Sequence, residues 1–92
     1  MSVISLYRKR GPDEGTVRAY VLVKVATGTE RVAMDSLRDI AALQEIHFLF
    51  GDCDYILTFE TTDTVALARL ITQRVRRVPG VEQTITLLEA PI

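Results

Sequence analysis

The stretch Arg18-Ala19-Tyr20-Val21-Leu22-Val23-Lys24-Val25-Ala26 constrains the fold more than any other part of the chain. Read as a strand, it puts Ala19, Val21, Val23 and Val25 on one side and Tyr20 and Leu22 on the other. Both sides are mostly apolar. A half-exposed strand alternates apolar with polar residues, so a strand apolar on both sides is a central one, covered on both faces. The chain has 92 residues, enough for one domain and one hydrophobic core. Its hydrophobic fraction of 48% lies toward the apolar end for a small soluble monomer, which points to apolar surface hidden against another subunit.

On either side of this strand the pattern changes. Residues 1–17 carry Arg8-Lys9-Arg10, Gly11-Pro12 and Asp13-Glu14-Gly15, turn chemistry without a period, and read as an N-terminal arm preceding a domain over residues 18–92. Within the arm, Val3 to Tyr7 would make a short strand on an oligomer edge. After the central strand, Thr27-Gly28-Thr29-Glu30 has the form of a capping box. It predicts a helix to about Ile40, burying Val32, Ala33, Leu37 and Ile40 and exposing Arg31, Asp35, Arg38 and Asp39. Leu43 to Gly51 returns to a period of two, with Ile46, Phe48 and Phe50 opposite Glu45, His47 and Leu49. The turn Gly51-Asp52-Cys53-Asp54 leads into a third strand, Tyr55 to Glu60, so the pair reads as an antiparallel hairpin. Thr62 or Asp63 caps a second helix with the stripe Leu67, Leu70, Ile71, Val75 and Val78, stopped by Pro79-Gly80. Arg74, Arg76 and Arg77 cluster in its last turns, where the helix dipole favours cations. Val81 to Leu88 is the last strand, with Val81, Gln83, Ile85 and Leu87 opposite Glu82, Thr84, Thr86 and Leu88.

The two halves resemble each other. Ala19-Tyr20-Val21-Leu22 is answered by Asp54-Tyr55-Ile56-Leu57 thirty-five residues on, and Ile40-Ala41-Ala42-Leu43 by Val78-Pro79-Gly80-Val81 thirty-eight on. Two split βαβ units predict an α+β, ferredoxin-like βαββαβ sandwich: a four-stranded antiparallel sheet with two helices on one face. Nothing in this reading covers the other face. The economical solution is a second copy packed sheet to sheet, a dimeric α/β barrel.

Other classes are disfavoured by what the chain contains. A net charge of −1 supplies no chain-wide field for nucleic acid or an anionic membrane. Its single cysteine, Cys53, has no intramolecular partner, and no leader pattern opens the sequence, so a reducing cytoplasm is expected. The longest apolar run, Ala19 to Val23, falls far short of the ~20 residues that cross a bilayer. His47 is the sole histidine, so no histidine pair is available for a metal. Cys53 sits between aspartates whose charge would raise its thiol pKa and weaken it as a nucleophile. Phosphate loops, nucleophile elbows and dinucleotide-binding glycine patterns are absent, and no cofactor or enzymatic activity is expected.

The hairpin is the most suggestive local feature. Gly and Asp are turn formers in any case, but a turn with carboxylates and unpaired backbone amides also suits a small zwitterion. Asp would bind an ammonium, and amides or hydroxyls a carboxylate. Thr84 and Thr86, two apart on one strand face, would add hydroxyls. The arginine cluster reads first as a solvated helix end and second as an anion or nucleic-acid patch.

Over residues 18–89 these pieces resemble the effector-binding and oligomerisation domain of the Lrp/AsnC family of regulators, the RAM domain. The resemblance is carried by Ala19-Tyr20-Val21-Leu22-Val23, Ile46-His47-Phe48-Leu49-Phe50-Gly51-Asp52-Cys53-Asp54, Val78-Pro79-Gly80-Val81 and Thr84-Ile85-Thr86. It implies the fold derived above, sheet-to-sheet dimers, higher assemblies of dimers, and amino-acid effectors bound between dimers around the hairpin. It implies Gly51, Asp52, Asp54, Thr84 and Thr86 as ligand contacts. Two departures stand out: Cys53 occupies a position usually aromatic, and Ala41-Ala42 replaces a usual Pro-Gly. Full-length members also carry a helix-turn-helix of about fifty residues, which seventeen arm residues cannot form. The expectation is therefore a stand-alone version of the domain or a fragment of a longer chain. It would co-assemble with full-length Lrp/AsnC regulators, without specific DNA reading of its own. Two other readings remain: a purely structural assembly module without a ligand, and a small dimeric enzyme, such as a haem protein using His47, on the same fold.

Overall fold

The computed structural model describes residues 16–89. Its elements follow in the order strand β1 (Val17–Val25), helix α1 (Glu30–Arg38), strands β2 (Leu43–Phe48) and β3 (Tyr55–Thr61), helix α2 (Thr64–Leu70) continuing into a π-helical turn over Ile71–Val75, and strand β4 (Val81–Leu88). The sheet order is β2-β3-β1-β4, every neighbouring pair antiparallel. This is the ferredoxin-like βαββαβ arrangement, with β1 and β3 central. The short strand expected over Val3 to Tyr7 lies outside the described residues.

The core explains why the apolar residues recur as they do. On β1, Ala19, Val21 and Val23 are fully buried and pair across the sheet with Phe59, Leu57 and Tyr55, and Val25 is nearly buried. These residues form one cluster with Ala33, Leu37 and Ile40 from the first helical segment and Leu67, Ile71, Val75 and Val78 from the second. Both helices thus lie on one face. The opposite face carries the pairs Arg18 with Glu60, Tyr20 with Thr58 and Leu22 with Ile56, and beyond them Leu87 and Ile85. No helix of the described residues packs there. Tyr20 and Thr58 are buried, Leu22 and Ile56 half-buried, and Ile85 and Leu87 exposed. An ion pair joins Arg18 to Glu60, and the Tyr20 hydroxyl donates to Glu89 Oε1 at 2.5 Å.

Several local expectations are corrected. The cap of α1 is Thr29, not Thr27, and the reciprocal capping box does not form. Thr29 Oγ1 instead donates to the Ala26 carbonyl at 2.6 Å, and Glu30 Oε1 accepts from the Gly28 N–H at 2.9 Å. Val32 is 58% exposed, because the sheet-facing stripe runs through Ala33 and Leu37. Strand β2 ends at Phe48, and Phe50 projects into solvent from the connection. On β4 the strict alternation from Val81 fails. A bulge opposite Lys24 and Val25 pairs Val25 with Val81 but Lys24 with Gln83, so Val81 and Gln83 fall on opposite faces. Asp63 caps α2 as expected, its Oδ1 accepting from the Ala66 N–H at 2.7 Å.

Candidate functional site

The residues named from the sequence fall into two groups. The first is the β2–β3 connection. Gly51 has φ +120°, a conformation that side-chain-bearing residues rarely adopt, which explains glycine there. Asp52 is exposed and Cys53 half-buried. Asp54 closes the turn: its carbonyl accepts from the Leu49 N–H and its N–H donates to the Val23 carbonyl, both at 2.8 Å. Its side chain has a structural task as well. Pairing of β1 with β3 ends at Val23 and Tyr55, and Asp54 Oδ2 accepts the Val25 N–H at 2.9 Å beyond that point. Oδ1 has no hydrogen-bond partner among the described residues.

Next to Asp54, Tyr55 anchors the hairpin to α1. Its hydroxyl donates to the Glu30 carbonyl at 2.5 Å, and its ring lies 5.5 Å from that of Phe48. Burial pushes the Tyr55 phenol above its usual pKa of 10.0, and the charges of Asp54 and Glu30 push it the same way. Asp54, Tyr55, Phe48, Leu49, Met34 and Arg31 line a cavity of about 340 Å³ on this flank, apolar in most of its lining.

The second group lies across β1. Thr84 pairs with Val23 and Thr86 with Val21, so both face the helix layer, as their spacing predicted. Thr84 is half-buried and Thr86 exposed. A cavity of about 340 Å³ is bounded by Arg76, Val81, Glu82, Gln83 and Thr84. Another of about 220 Å³ includes Arg76, Ile71, Thr72 and Thr86. The Arg76 Nε–H donates to Thr84 Oγ1 at 3.3 Å.

Asp54 and Thr84 therefore meet the same residue, Val23, from its two sides. They sit at one level of the sheet, two strand spacings or ~10 Å apart. The cavity beside the hairpin and the cavity beside Thr84 share no lining residue. Arg76 was named from the sequence only as one of three clustered arginines. The cluster Arg74, Arg76 and Arg77 gives no hint of which member faces β4, since the π-helical turn just before it sets that register. Backbone N–H of Arg76 donates to the Ile71 carbonyl at 2.9 Å, the five-residue bond of such a turn.

Other chemistry is sparse. His47 is exposed, with Nε2 3.2 Å from Glu45 Oε1. The described residues contain no group of three or more His, Cys, Asp or Glu able to hold a metal ion. No helix among them is long and apolar enough to cross a membrane.

Comparison with known proteins agrees with this geometry. The crystal structure of FFRP-DM1 superposes with a TM-score of 0.77 at 30% identity, over 80% of this chain and 99% of that one. A hypothetical protein from Pyrococcus horikoshii matches with a TM-score of 0.74 at 30% identity, over 80% and 89%. A transcriptional regulator from Neisseria meningitidis, crystallised with L-methionine, shares the fold with a TM-score of 0.75 at 18% identity, over 80% of this chain and 49% of its own. No curated protein sequence matches. Residues 18–88 match the family model of the Lrp/AsnC ligand binding domain, and the chain belongs to that family.

Proposed function

We propose that the chain is an amino-acid-binding module that self-associates and serves transcription regulation as a partner of full-length Lrp/AsnC regulators in the cytoplasm. The observation that carries this reading is the division of the candidate site. Gly51, Asp52 and Asp54 lie on one flank of β1 and Thr84 and Thr86 on the other, Asp54 and Thr84 meet Val23 from opposite sides, and the cavities beside them share no lining residue. Such a site is completed when a neighbouring subunit brings its own half alongside. Asp54 Oδ1 and Asp52 then take the ligand's ammonium, while hairpin amides and the Thr84 and Thr86 hydroxyls take carboxylate oxygens. The methionine bound to the Neisseria regulator supports this ligand class. The apolar second face of the sheet supports a dimer as the smallest assembly.

A thermal-shift screen of the twenty amino acids at several millimolar tests the binding. A ligand that prefers the folded state raises its stability by RT ln(1 + [L]/Kd), so at least one amino acid raises the midpoint. Asp52→Ala weakens that shift. A flat screen would remove sensing and leave the second reading, an assembly module without a ligand. That reading is favoured by the structural use of Asp54 Oδ2 at Val25.

A further inference from the structure

We propose that Arg76 makes the β4 flank of the effector site selective for an amino acid with a carboxylate in its side chain. The inference rests on the amino-acid-binding reading above and adds the class of ligand. Thr84 and Thr86 line different cavities, and Arg76 lines both. A single guanidinium thus stands beside the two hydroxyls that face the ligand.

The hydrogen bonding of Arg76 leaves its recognising edge unspent. Nε donates to Thr84 Oγ1, which ties the side chain to the strand. The two Nη atoms have no hydrogen bond and no ion pair among the described residues, although Glu82 borders the same cavity. A planar fork held at one nitrogen and open at the others matches a carboxylate in two parallel hydrogen bonds. Its origin is also fixed, because the Arg76 amide closes the π-helical turn on the Ile71 carbonyl.

Charge reinforces the geometry. From Thr64 to Val81 the chain carries Arg69, Arg74, Arg76 and Arg77 and no acidic residue. Among the described residues, Glu82 is the one acid bordering this pair of cavities. Arg76 and Glu82 balance within the linings, and the remaining arginines of the segment tip the surrounding field toward an anionic side chain and against a lysine or arginine one. A volume of about 340 Å³ accommodates a ligand as small as aspartate or glutamate.

Isothermal titration of the full chain with L-glutamate, L-aspartate and their amides tests this. At least one acid binds about tenfold tighter than its amide, the size expected of a charge-assisted pair. Arg76→Gln brings that ratio to about one, and Arg38→Gln, at an exposed position on α1 lining neither cavity, leaves it unchanged. Thr84→Val, which removes the hydroxyl anchoring Nε, lowers the ratio while the melting midpoint confirms a folded chain. Amides or other neutral amino acids binding as tightly as the acids would overturn the selectivity and leave amino-acid binding standing. An acid preference that survives Arg76→Gln overturns the role of Arg76. Absence of binding by all amino acids overturns both readings together.

Discussion

The two faces of one sheet share the same strands and differ in what holds them. On β1, Ala19, Val21 and Val23 are completely buried under the helices, while their neighbours Leu22 and Lys24 are not. On β4, Thr84 and Thr86 look toward the helix layer, and Ile85 and Leu87 look away with 41% and 43% of their surfaces exposed. The first face has the composition and closure of a finished core. The second carries apolar side chains that no described helix covers, ringed by Arg18, Glu60 and Lys24. A polar rim around an apolar centre is the anatomy of an interface. Stability is thus expected to reside on one face and association on the other.

The largest effect expected is on the covered face. Phe59 is fully buried and pairs with Ala19 under the helices. Phe59→Ala destabilises the fold by about 3–5 kcal/mol in urea denaturation, with loss of cooperativity if the remaining core no longer suffices. The mirror experiment is Leu22→Asp on the other face. It separates subunits while circular dichroism retains the helix and strand signal. If Leu22→Asp unfolds the chain as Phe59→Ala does, the two faces are not functionally distinct.

The turn that joins the helix layer to β4 gives an intermediate effect. Gly80 has φ +96°, and a Cβ there would lie 2.4 Å from Thr29 Oγ1, the hydroxyl that donates to the Ala26 carbonyl. The carbonyl of Gly80 also accepts from the Ala26 N–H at 2.8 Å. Gly80→Ala costs about 1–3 kcal/mol, from backbone strain and from displacing Thr29. Thr29→Ala in the same chain removes the Oγ1 contact but leaves the Thr29 Cβ at 2.8 Å and the backbone strain, so only part of the loss returns. A smaller loss, about 1 kcal/mol, follows Asp63→Ala, which removes the side-chain cap of α2.

The smallest effect is on pH dependence. The Tyr55 phenol has its pKa raised in the folded chain, so the neutral form is the one that folding favours. Its contribution is fully present below pH 10.0, the unfolded value, and declines as pH rises through the folded value. Wild-type stability therefore falls above pH 10 with a component that Tyr55→Phe lacks. Equal alkaline slopes for the two proteins would remove Tyr55 from the account.

The parts of this fold that were legible in the sequence are those set by side-chain periodicity. Ala19 to Val25 announced a central strand because apolar residues occupy both of its faces, Lys24 alone excepted. The half-repeat announced the topology because each βαβ unit needs the same strand and helix-end residues. Features set by backbone irregularity were not legible. The bulge facing Lys24 and Val25 inserts a residue among Glu82 and Gln83, polar side chains that suit either face. The π-helical turn at Ile71–Val75 shifts register without changing the apolar stripe, since Leu67, Ile71, Val75 and Val78 all stay buried. The site divided in the same way. Gly51 was readable because its φ demands glycine, and Thr84 and Thr86 because strand periodicity puts them together. Arg76 was hidden because its position depends on the π-helical turn, and the structural duty of Asp54 because it depends on where the β1–β3 pairing stops.

The division of labour between the faces is tested most directly by sedimentation equilibrium on the wild-type chain at micromolar concentration, alongside Leu22→Asp. The account predicts a wild-type mass of at least two chains and a folded single chain for Leu22→Asp. A monomeric wild-type protein would contradict it.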